Sequence, residues 1–157
     1  MSTETRLEQS SSAPEDTYAI GVKIGRQLKG GETIELVSDL GGGKTTFVGG
    51  LAEGAGSQDE VASPSFTLNR IYQAPSLNIH HYDFFRLEEA GIMADELGES
   101  LQDKGVVTVV EWAKALKSIL PRGRLVIEFI VGNSENTRRL NLSAPSELSY
   151  LLSELKP

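Results

Sequence analysis

The sequence predicts a three-layer α/β fold whose sheet is mixed and mainly parallel. Apolar runs of strand length alternate with amphipathic segments of helix length, as expected when helices cover both faces of a sheet. Residues 106–110 form a continuous β-branched run, which is typical of a parallel strand that is buried on both faces. Two strand-like segments joined by a tight turn near mid-chain indicate an antiparallel hairpin, so the sheet is expected to be mixed.

The length and composition predict one folded domain that follows a disordered tail. The chain has 157 residues, of which 39% are hydrophobic and 24% are charged, and both fractions are ordinary for a globular domain. Residues 1–11 are polar and rich in Ser, Thr and Glu, so we expect them to be disordered. The single folded domain is then expected to occupy residues 12–157.

Several function classes are disfavoured by composition alone. Disulfides and cysteine-based zinc sites are excluded because the chain has no cysteine. The net charge is −7, which is unsuited to gripping DNA or RNA, so any nucleic acid is expected to be held by a partner. The apolar stretches are too short to cross a bilayer, and the first residues lack a signal-peptide core. A cytoplasmic protein without a membrane partner is therefore expected.

The first predicted helix follows the tail and leads into a short strand. Ser12 and Glu15 fit a capping box, in which a hydroxyl and a carboxylate satisfy free backbone N–H groups of the first turn. Three apolar residues at a spacing of four then share one helix face: Ile20, Ile24 and Leu28. Glycines 30 and 31 are expected to end this helix, before a strand at residues 33–37 and a second helix from about Lys44.

The remainder of the chain predicts five further strands and four further helices. The strands are expected at residues 66–72, 77–82, 106–110, 125–131 and 139–142. The helices are expected at residues 88–93, 95–103, 113–119 and 146–155. Gly49 and Gly50 lie inside the second helix, where each costs up to about 1 kcal/mol relative to alanine. Close packing against the sheet is the explanation that the sequence suggests for them.

The glycine-rich turn before the second helix is the clearest candidate site. Residues 38–45 compare with the phosphate-binding pattern G-x-x-x-x-G-K-[S/T], although Ser38 stands at the first glycine. Glycines let backbone N–H groups curl around phosphate oxygens, and the N-terminus of the following helix favours the same anion. Lys44 would bring a positive charge to the β- and γ-phosphates, and the Thr45 hydroxyl would complete a Mg²⁺ shell. Thr46 is either a phosphate ligand or an ordinary first-turn residue.

Two carboxylates are placed to orient the metal and its waters. Glu111 directly follows the buried run at residues 106–110, and Asp83 follows residues 78–82 in the same way. Ligands of open α/β sheets lie at the carboxyl ends of strands, so both acids are candidates. The alternative for either acid is a solvated loop carboxylate or a helix cap. Trp112, beside Glu111, is more often a packing residue than a nucleotide contact.

Two further segments have open interpretations. His80 and His81 lack the additional partners that a metal site needs, so structural histidines are expected there. Ser63 and Ser65 flank a proline before Phe66, which is either a rigid turn or a mobile element that senses the γ-phosphate.

Four segments occur together in one order: Asp-Leu-Gly-Gly-Gly-Lys-Thr-Thr-Phe at 39–47, Ser-Pro-Ser-Phe at 63–66, His-Tyr-Asp-Phe-Phe-Arg-Leu at 81–87 and Val-Glu-Trp at 110–112. This set resembles the TsaE (YjeE) family of small bacterial P-loop ATPases that serve the synthesis of N6-threonylcarbamoyladenosine in tRNA. The similarity extends from about Ser12 to beyond Pro121. It implies a compact P-loop NTPase domain with a mixed sheet. The implied activity is slow hydrolysis of ATP with Mg²⁺, without catalysis of the threonylcarbamoyl transfer itself.

The resemblance also implies partners and residue roles. The partners would be a threonylcarbamoyl transferase subunit and its paralogue, with tRNA contacted only indirectly through that complex. The phosphates would be bound by Leu40, Gly41, Gly42, Gly43, Lys44 and Thr45. Thr45 and Glu111 would ligate Mg²⁺, with Lys44, Asp83 and Glu111 acting in hydrolysis. Trp112 would support function near the site, and Ser63 and Ser65 would belong to a switch-like segment. Pro14 and Thr17 match a region that lies against the nucleotide base.

The chain departs from the family pattern at four places. Beyond Ser38, Ser65 replaces a threonine, Phe84 and Phe85 stand where Leu-Tyr is usual, and Ala113 replaces a proline. The competing functions are a small-molecule P-loop kinase and a nucleotide-dependent interaction protein with vestigial hydrolysis. A kinase would need an arginine-bearing lid, and no insertion of that kind is evident. A GTPase is disfavoured because the sequence has no Asn-Lys-x-Asp segment.

Overall fold

The computed structural model describes residues 3–38, 43–62, 69–84, 91–112 and 117–156, apart from the side chains of residues 91–93. Seven strands form one sheet: β1 (Thr5–Ser11), β2 (Thr33–Val37), β3 (Asn69–Gln73), β4 (Asn78–Asp83), β5 (Val106–Glu111), β6 (Leu125–Val131) and β7 (Arg138–Ala144). The helices are α1 (Pro14–Gly25), α2 (Lys44–Gly54), α3 (Gly91–Gln102) and a C-terminal 3-10 helix (Ser146–Leu152).

The sheet is mixed, and its parallel part is central. The strand order is β1-β7-β6-β2-β5-β4-β3, in which the four strands β6, β2, β5 and β4 are mutually parallel. Antiparallel partners flank them on both sides, namely β7 and β1 at one edge and β3 at the other. The central strand β5 is buried along its whole length, as its β-branched run predicts.

Helices cover the two faces of this sheet, which gives the predicted three layers. Successive side chains of a strand point to opposite faces. Ile79, Val107 and Val109 accordingly join the larger core with α1, α2 and the 3-10 helix, whereas Tyr82 and Val110 join a smaller core with α3. The larger-core face is the one that carries residues 79, 81 and 83 of β4 and residues 107, 109 and 111 of β5.

The glycines of α2 pack against α1 and not against the sheet, which corrects the expectation from the sequence. A Cβ atom on Gly50 would lie 2.0 Å from the Tyr18 carbonyl oxygen, and one on Gly54 would lie 2.2 Å from that of Val22. Reciprocally, Cβ atoms on Gly21 and Gly25 would lie 2.3 and 2.2 Å from α2 carbonyl oxygens. The two backbones therefore touch directly, and side chains are excluded between them.

The predicted tail at residues 1–11 is wrong from Thr5 onward, because β1 occupies Thr5–Ser11 and pairs along its whole length with β7. The predicted domain boundary at residue 12 therefore lies seven residues too late. Composition misled here for a physical reason. An edge strand gains its stability from backbone hydrogen bonds to its neighbour, and only alternate side chains such as Leu7 turn toward the core. A polar edge strand therefore has the same composition as a disordered segment.

The start of α1 also differs from the predicted capping box. The helix begins at Pro14, and the backbone N–H and hydroxyl of Ser12 donate to Asp16 Oδ2 at 2.9 and 2.8 Å. Glu15, the predicted partner, lies in the exposed first turn. These hydrogen bonds from Ser12 lower the pKa of the Asp16 carboxyl.

Other element boundaries differ modestly from the predicted ones. The single helix α3 covers residues 91–102 of the two helices expected at 88–93 and 95–103, and the last helix is a 3-10 helix. Residues 88–90 lie outside the described residues. Residues 66–68 of the expected hairpin and residues 113–116 of the expected helix at 113–119 lie outside the described residues. The strands expected at 33–37 and 125–131 are confirmed.

The C-terminal 3-10 helix is fastened to the turn before β2 by Tyr150. Its hydroxyl donates to Glu32 Oε2 at 2.5 Å, and Glu32 also accepts the backbone N–H groups of Lys29 and Gly30. The Lys29 ammonium lies 4.2 Å from the centre of the Tyr150 ring. Burial, followed by the Glu32 carboxylate, raises the pKa of the Tyr150 phenol well above its usual value.

We expect Tyr150→Phe to lower the free energy of unfolding by about 1.5 kcal/mol at neutral pH, since it deletes one hydrogen bond to a charged group. The unfolded phenol ionises near pH 10. The folded phenol ionises only at a higher pH than this. The contribution of Tyr150 to the free energy of unfolding is therefore complete below the unfolded pKa and is lost as the pH rises through the folded pKa. Urea unfolding at neutral and alkaline pH measures both effects. Ser149→Ala, an exposed change on the same helix, is the control, and an equal loss in both variants would contradict the assignment.

Candidate nucleotide and metal site

The candidate site lies at the carboxyl edge of the parallel strands. Glu111 ends β5 and is in register with Leu36 of β2 on one side and with Asp83 of β4 on the other. Ser38, the first residue of the predicted phosphate loop, directly follows β2. The sheet therefore brings the two predicted acids together beside the predicted loop, at the edge where open α/β sheets bind ligands.

Lys44 is the centre of this arrangement. It begins α2, and its residue is only 6% exposed although it carries a charge. Its Nζ atom lies 3.6 Å from Glu111 Oε1 and 3.5 Å from the Ser38 carbonyl oxygen. It also lies 4.2 Å from the centre of the Trp112 ring, within the range of a cation–π interaction. The lysine is thus held at the mouth of the loop by a carboxylate, a carbonyl and an aromatic face.

Glu111 is a buried acid between two nitrogen-bearing side chains. Its residue is 4% exposed, with Oε1 facing Lys44 and Oε2 hydrogen-bonded to His81 Nε2. Asp83 is also buried, at 7% exposure, and lies next to Glu111 across the parallel strand pair. Two carboxylates that are nearly removed from water call for compensating charge. The site supplies part of that charge through Lys44.

Trp112 adopts an unusual backbone conformation directly after Glu111. Its φ angle is 56°, in the left-handed region that is strained for a bulky residue. Such a conformation persists only where the surrounding structure enforces it, and it is common at binding sites. Here it accompanies the placement of the indole against the Lys44 ammonium.

The N-termini of two helices converge at this edge. Gly43 caps α2 with a φ of 97°, and no side chain caps the helix. Thr45 is exposed and Thr46 partly exposed in its first turn. Thr17 of α1 is buried, and its methyl group lies 3.8 Å from where a Cβ atom of Gly43 would be. Its hydroxyl is engaged by Ser11 at 2.7 Å, whereas Pro14 is exposed at the start of α1.

The described residues therefore unite part of the predicted set. Lys44, Asp83, Glu111 and Trp112 form one cluster, and Thr17 adjoins the N-terminus of α2 that carries Thr45 and Thr46. Pro14 and Gly43 lie at the starts of α1 and α2. Five predicted residues lie outside the described part of the chain, namely Leu40, Gly41, Gly42, Ser63 and Ser65.

His81 does more than the structural histidine that the sequence predicts. Its ring is fully buried and has hydrogen-bond partners. One of those partners, however, is the candidate metal carboxylate Glu111. The signal was present in the spacing, because His81 and Asp83 are two residues apart on one strand and must share a face. Only the register between β4 and β5 reveals that Glu111 lies on that same face.

The comparisons with known proteins place the chain in a family. A family model described as "Threonylcarbamoyl adenosine biosynthesis protein TsaE" matches residues 11–140. The chain belongs to the TsaE family. A relative from Bacillus subtilis, named tRNA threonylcarbamoyladenosine biosynthesis protein TsaE, is 36% identical over 151 residues, which are 95% of this chain and 92% of the relative. A relative of the same name from Treponema pallidum is 36% identical over 81% of this chain and 96% of its own length.

A solved structure confirms the fold. The crystal structure of Bacillus subtilis YdiB superposes with a TM-score of 0.79 at 30% identity, covering 98% of this chain and 95% of that chain. The predicted α/β architecture and the predicted family membership in TsaE are both confirmed. Within the described ranges, no helix is long and apolar enough to cross a membrane.

Proposed function

We propose that this chain binds ATP with Mg²⁺ and hydrolyses it slowly as a component of the machinery that makes N6-threonylcarbamoyladenosine in tRNA. The carrying observation is the contact of Lys44 with Glu111, two buried opposite charges at the carboxyl edge of the sheet. In a TsaE-family chain this contact supports the proposal, in which Lys44 would be the cation for phosphate and Glu111 the acid for metal.

The phosphate contacts follow from the start of α2. Its first N–H groups have no side-chain cap and carry the positive end of the helix dipole, which favours an anion. Lys44 adds a full charge there, and its cation–π and carboxylate contacts keep it near the loop before phosphate arrives. We assign phosphate binding to this helix start, together with Leu40, Gly41 and Gly42, and place Pro14 and Thr17 on the base side.

The donor set at this edge fits Mg²⁺. This ion is usually held by one or two carboxylates, with waters and substrate phosphates completing its shell. The described residues that support this pattern are two buried carboxylates side by side at the edge of the sheet, Glu111 and Asp83. Thr45 and Glu111 would be the protein ligands. The bound ion would neutralise phosphate charge. Asp83, buried beside Glu111, would orient the attacking water or accept a proton from it.

The partners are proposed from family membership and from charge. Relatives carry the name tRNA threonylcarbamoyladenosine biosynthesis protein. A net charge of −7 makes an independent grip on tRNA unfavourable, so tRNA would be held by the transferase subunit and its paralogue. The chain would supply ATP-driven turnover to that complex in the cytoplasm, and it would not catalyse the transfer itself.

Glu111→Gln is expected to lower Mg²⁺-dependent ATP hydrolysis by about 10- to 100-fold, since it replaces a ligating carboxylate with a neutral amide. Nucleotide binding measured without metal should change much less. The matched control is Glu128→Gln, an exposed acid on β6, which β2 separates from β5. Steady-state hydrolysis over a series of Mg²⁺ concentrations measures the effect on the metal-dependent reaction. Calorimetry in EDTA measures the effect on nucleotide binding without metal. Equal losses with and without metal would contradict the metal role.

Reconstitution tests the function as a whole. The purified chain should hydrolyse ATP slowly alone, and multiple rounds of tRNA threonylcarbamoylation should require it together with the transferase subunit and its paralogue. Transfer of the γ-phosphate to a metabolite would identify a kinase instead. Modification that proceeds equally with a non-hydrolysable ATP analogue would identify a nucleotide-dependent interaction protein.

A further inference from the structure

A chain of polar contacts leads from Glu111 to the backbone at Ala62. Glu111 Oε2 is hydrogen-bonded to His81 Nε2, and His81 Nδ1 lies 3.4 Å from the Tyr72 hydroxyl. That hydroxyl donates to the Ala62 carbonyl oxygen at 2.9 Å. Both His81 and Tyr72 are buried, at 0 and 2% exposure. The chain crosses three strands, because Tyr72 is on β3, His81 on β4 and Glu111 on β5.

The neighbouring histidine shows that this placement is particular to one side of the sheet. His80 points to the opposite face, where its Nδ1 lies 2.6 Å from Ser100 Oγ in α3. Tyr82, also on that face, is hydrogen-bonded to the same serine at 2.8 Å. The strand therefore carries two histidine–hydroxyl systems of similar composition. Only the His81 system adjoins the candidate metal site among the described residues.

The hydrogen bonds of the His81 system fix the ring from two sides. A carboxylate accepts only, so Nε2 donates to Glu111. Nδ1 is then the acceptor nitrogen, and the single proton of the Tyr72 hydroxyl is shared between Nδ1 at 3.4 Å and the Ala62 carbonyl oxygen at 2.9 Å, which limits rotation of the ring from its second side. Burial raises the pKa of the Tyr72 phenol, so the hydroxyl keeps its proton at neutral pH.

We propose that His81 is a positioning residue that orients the Glu111 carboxylate for metal binding, and that Tyr72 holds His81 in place. With Oε2 bound to His81, Oε1 is directed to the Lys44 side, where phosphate and metal would meet. Fixing a ligating carboxylate through a hydrogen bond removes the need to order it when the metal binds. This inference rests on the proposed function, since it concerns the same metal.

The test measures how strongly Mg²⁺ improves ADP binding, as the ratio of the Kd without metal to the Kd with metal. We expect His81→Asn to lower this ratio about tenfold, because the shorter amide cannot reach Glu111. His81→Gln should retain most of the ratio, since its amide nitrogen takes nearly the position of Nε2. His80→Asn, on the other face, should leave the ratio unchanged. Calorimetry of ADP binding in EDTA and in Mg²⁺ gives this ratio for the wild type and for each of the three variants.

The hydroxyl of Tyr72 has its own matched pair of variants. Tyr72→Phe keeps the ring in the core and removes the hydroxyl, so we expect the ratio to fall about 2- to 10-fold, the range of one hydrogen bond. Tyr82→Phe removes a buried hydroxyl from the opposite face and should leave the ratio at the wild-type value. Because both variants keep their aromatic packing, the comparison stands even if the His81 variants unfold.

The outcomes separate this inference from the proposed function. If the wild type binds ADP more tightly with Mg²⁺ and folded His81→Asn and Tyr72→Phe proteins do so equally, the positioning role is overturned and the metal site stands. If Mg²⁺ leaves ADP binding to the wild type unchanged, the proposed metal site falls, and the positioning role falls with it.

Discussion

Replacing Lys44 with alanine is expected to lower ATP hydrolysis by about 100- to 1000-fold, the usual cost of deleting a preorganised charge that stabilises a transition state. The reason lies in its position, since Nζ is held at the loop by Glu111, the Ser38 carbonyl and the Trp112 ring. A charge fixed in advance needs little reorganisation when phosphate charge develops. Hydrolysis is measured with radiolabelled ATP, and threonylcarbamoylation with the reconstituted partners.

Lys23→Ala is the control for this prediction, because it removes an exposed lysine from the last turn of α1 without touching the site. The Lys44→Ala protein must also be shown to be folded. It leaves Glu111 hydrogen-bonded to His81 but without the Lys44 ammonium, beside the buried Asp83. Thermal unfolding therefore accompanies the kinetics. A folded Lys44→Ala protein that supports modification at the wild-type rate would refute the nucleotide-driven mechanism.

The sole tryptophan offers an independent reading of the same event. The Trp112 ring contacts the Lys44 ammonium, so movement of that lysine toward phosphate changes the surroundings of the indole. Intrinsic fluorescence therefore follows ligand binding in both the Lys23→Ala control and the wild type. The Lys44→Ala protein lacks this contact, so its fluorescence should not respond to ligand even when the protein is folded. A lost response can thus be told apart from a lost fold.

The central part of the fold was predictable because its strands obey simple patterns. The β-branched run that ends at Glu111 can be buried only as an inner parallel strand, and a carboxylate at its end must lie at the ligand edge. Local sequence and global fold agree for β5, so the position of Glu111 at this edge of the sheet was predictable from the residues alone.

The remaining features depend on pairing partners that a single sequence does not reveal. The polar strand β1 is ordered by β7, which lies more than a hundred residues away along the chain. The link between His81 and Glu111 needs the register of β4 against β5. From the sequence alone the glycines of α2 only destabilise a helix, whereas in the fold they allow the backbone of α1 to pack directly against α2. In each case the deciding contact is nonlocal.

That helix contact predicts the largest effect on stability. Gly50→Ala should lower the free energy of unfolding by about 3 kcal/mol or more, because its Cβ would lie 2.0 Å from a backbone oxygen of Tyr18 that no rotamer can move. In a domain of this size, that corresponds to a fall in Tm of about 6 to 12 °C. The helix propensity of alanine opposes the change by only about 1 kcal/mol.

Gly98→Ala in α3 isolates the effect of helix propensity, because a Cβ atom there meets none of the described residues within 4 Å. It should raise the Tm by about 2 to 4 °C. The opposite signs of two identical substitutions, both inside helices, assign the cost at Gly50 to the contact with α1.

The same contact aligns the N-termini of α1 and α2, where Thr17 meets Gly43. Folded Gly50→Ala protein should therefore bind ADP more weakly than Gly98→Ala. Equal melting temperatures in the two variants would show that α1 and α2 can separate freely, and the nucleotide site would then not depend on their close approach.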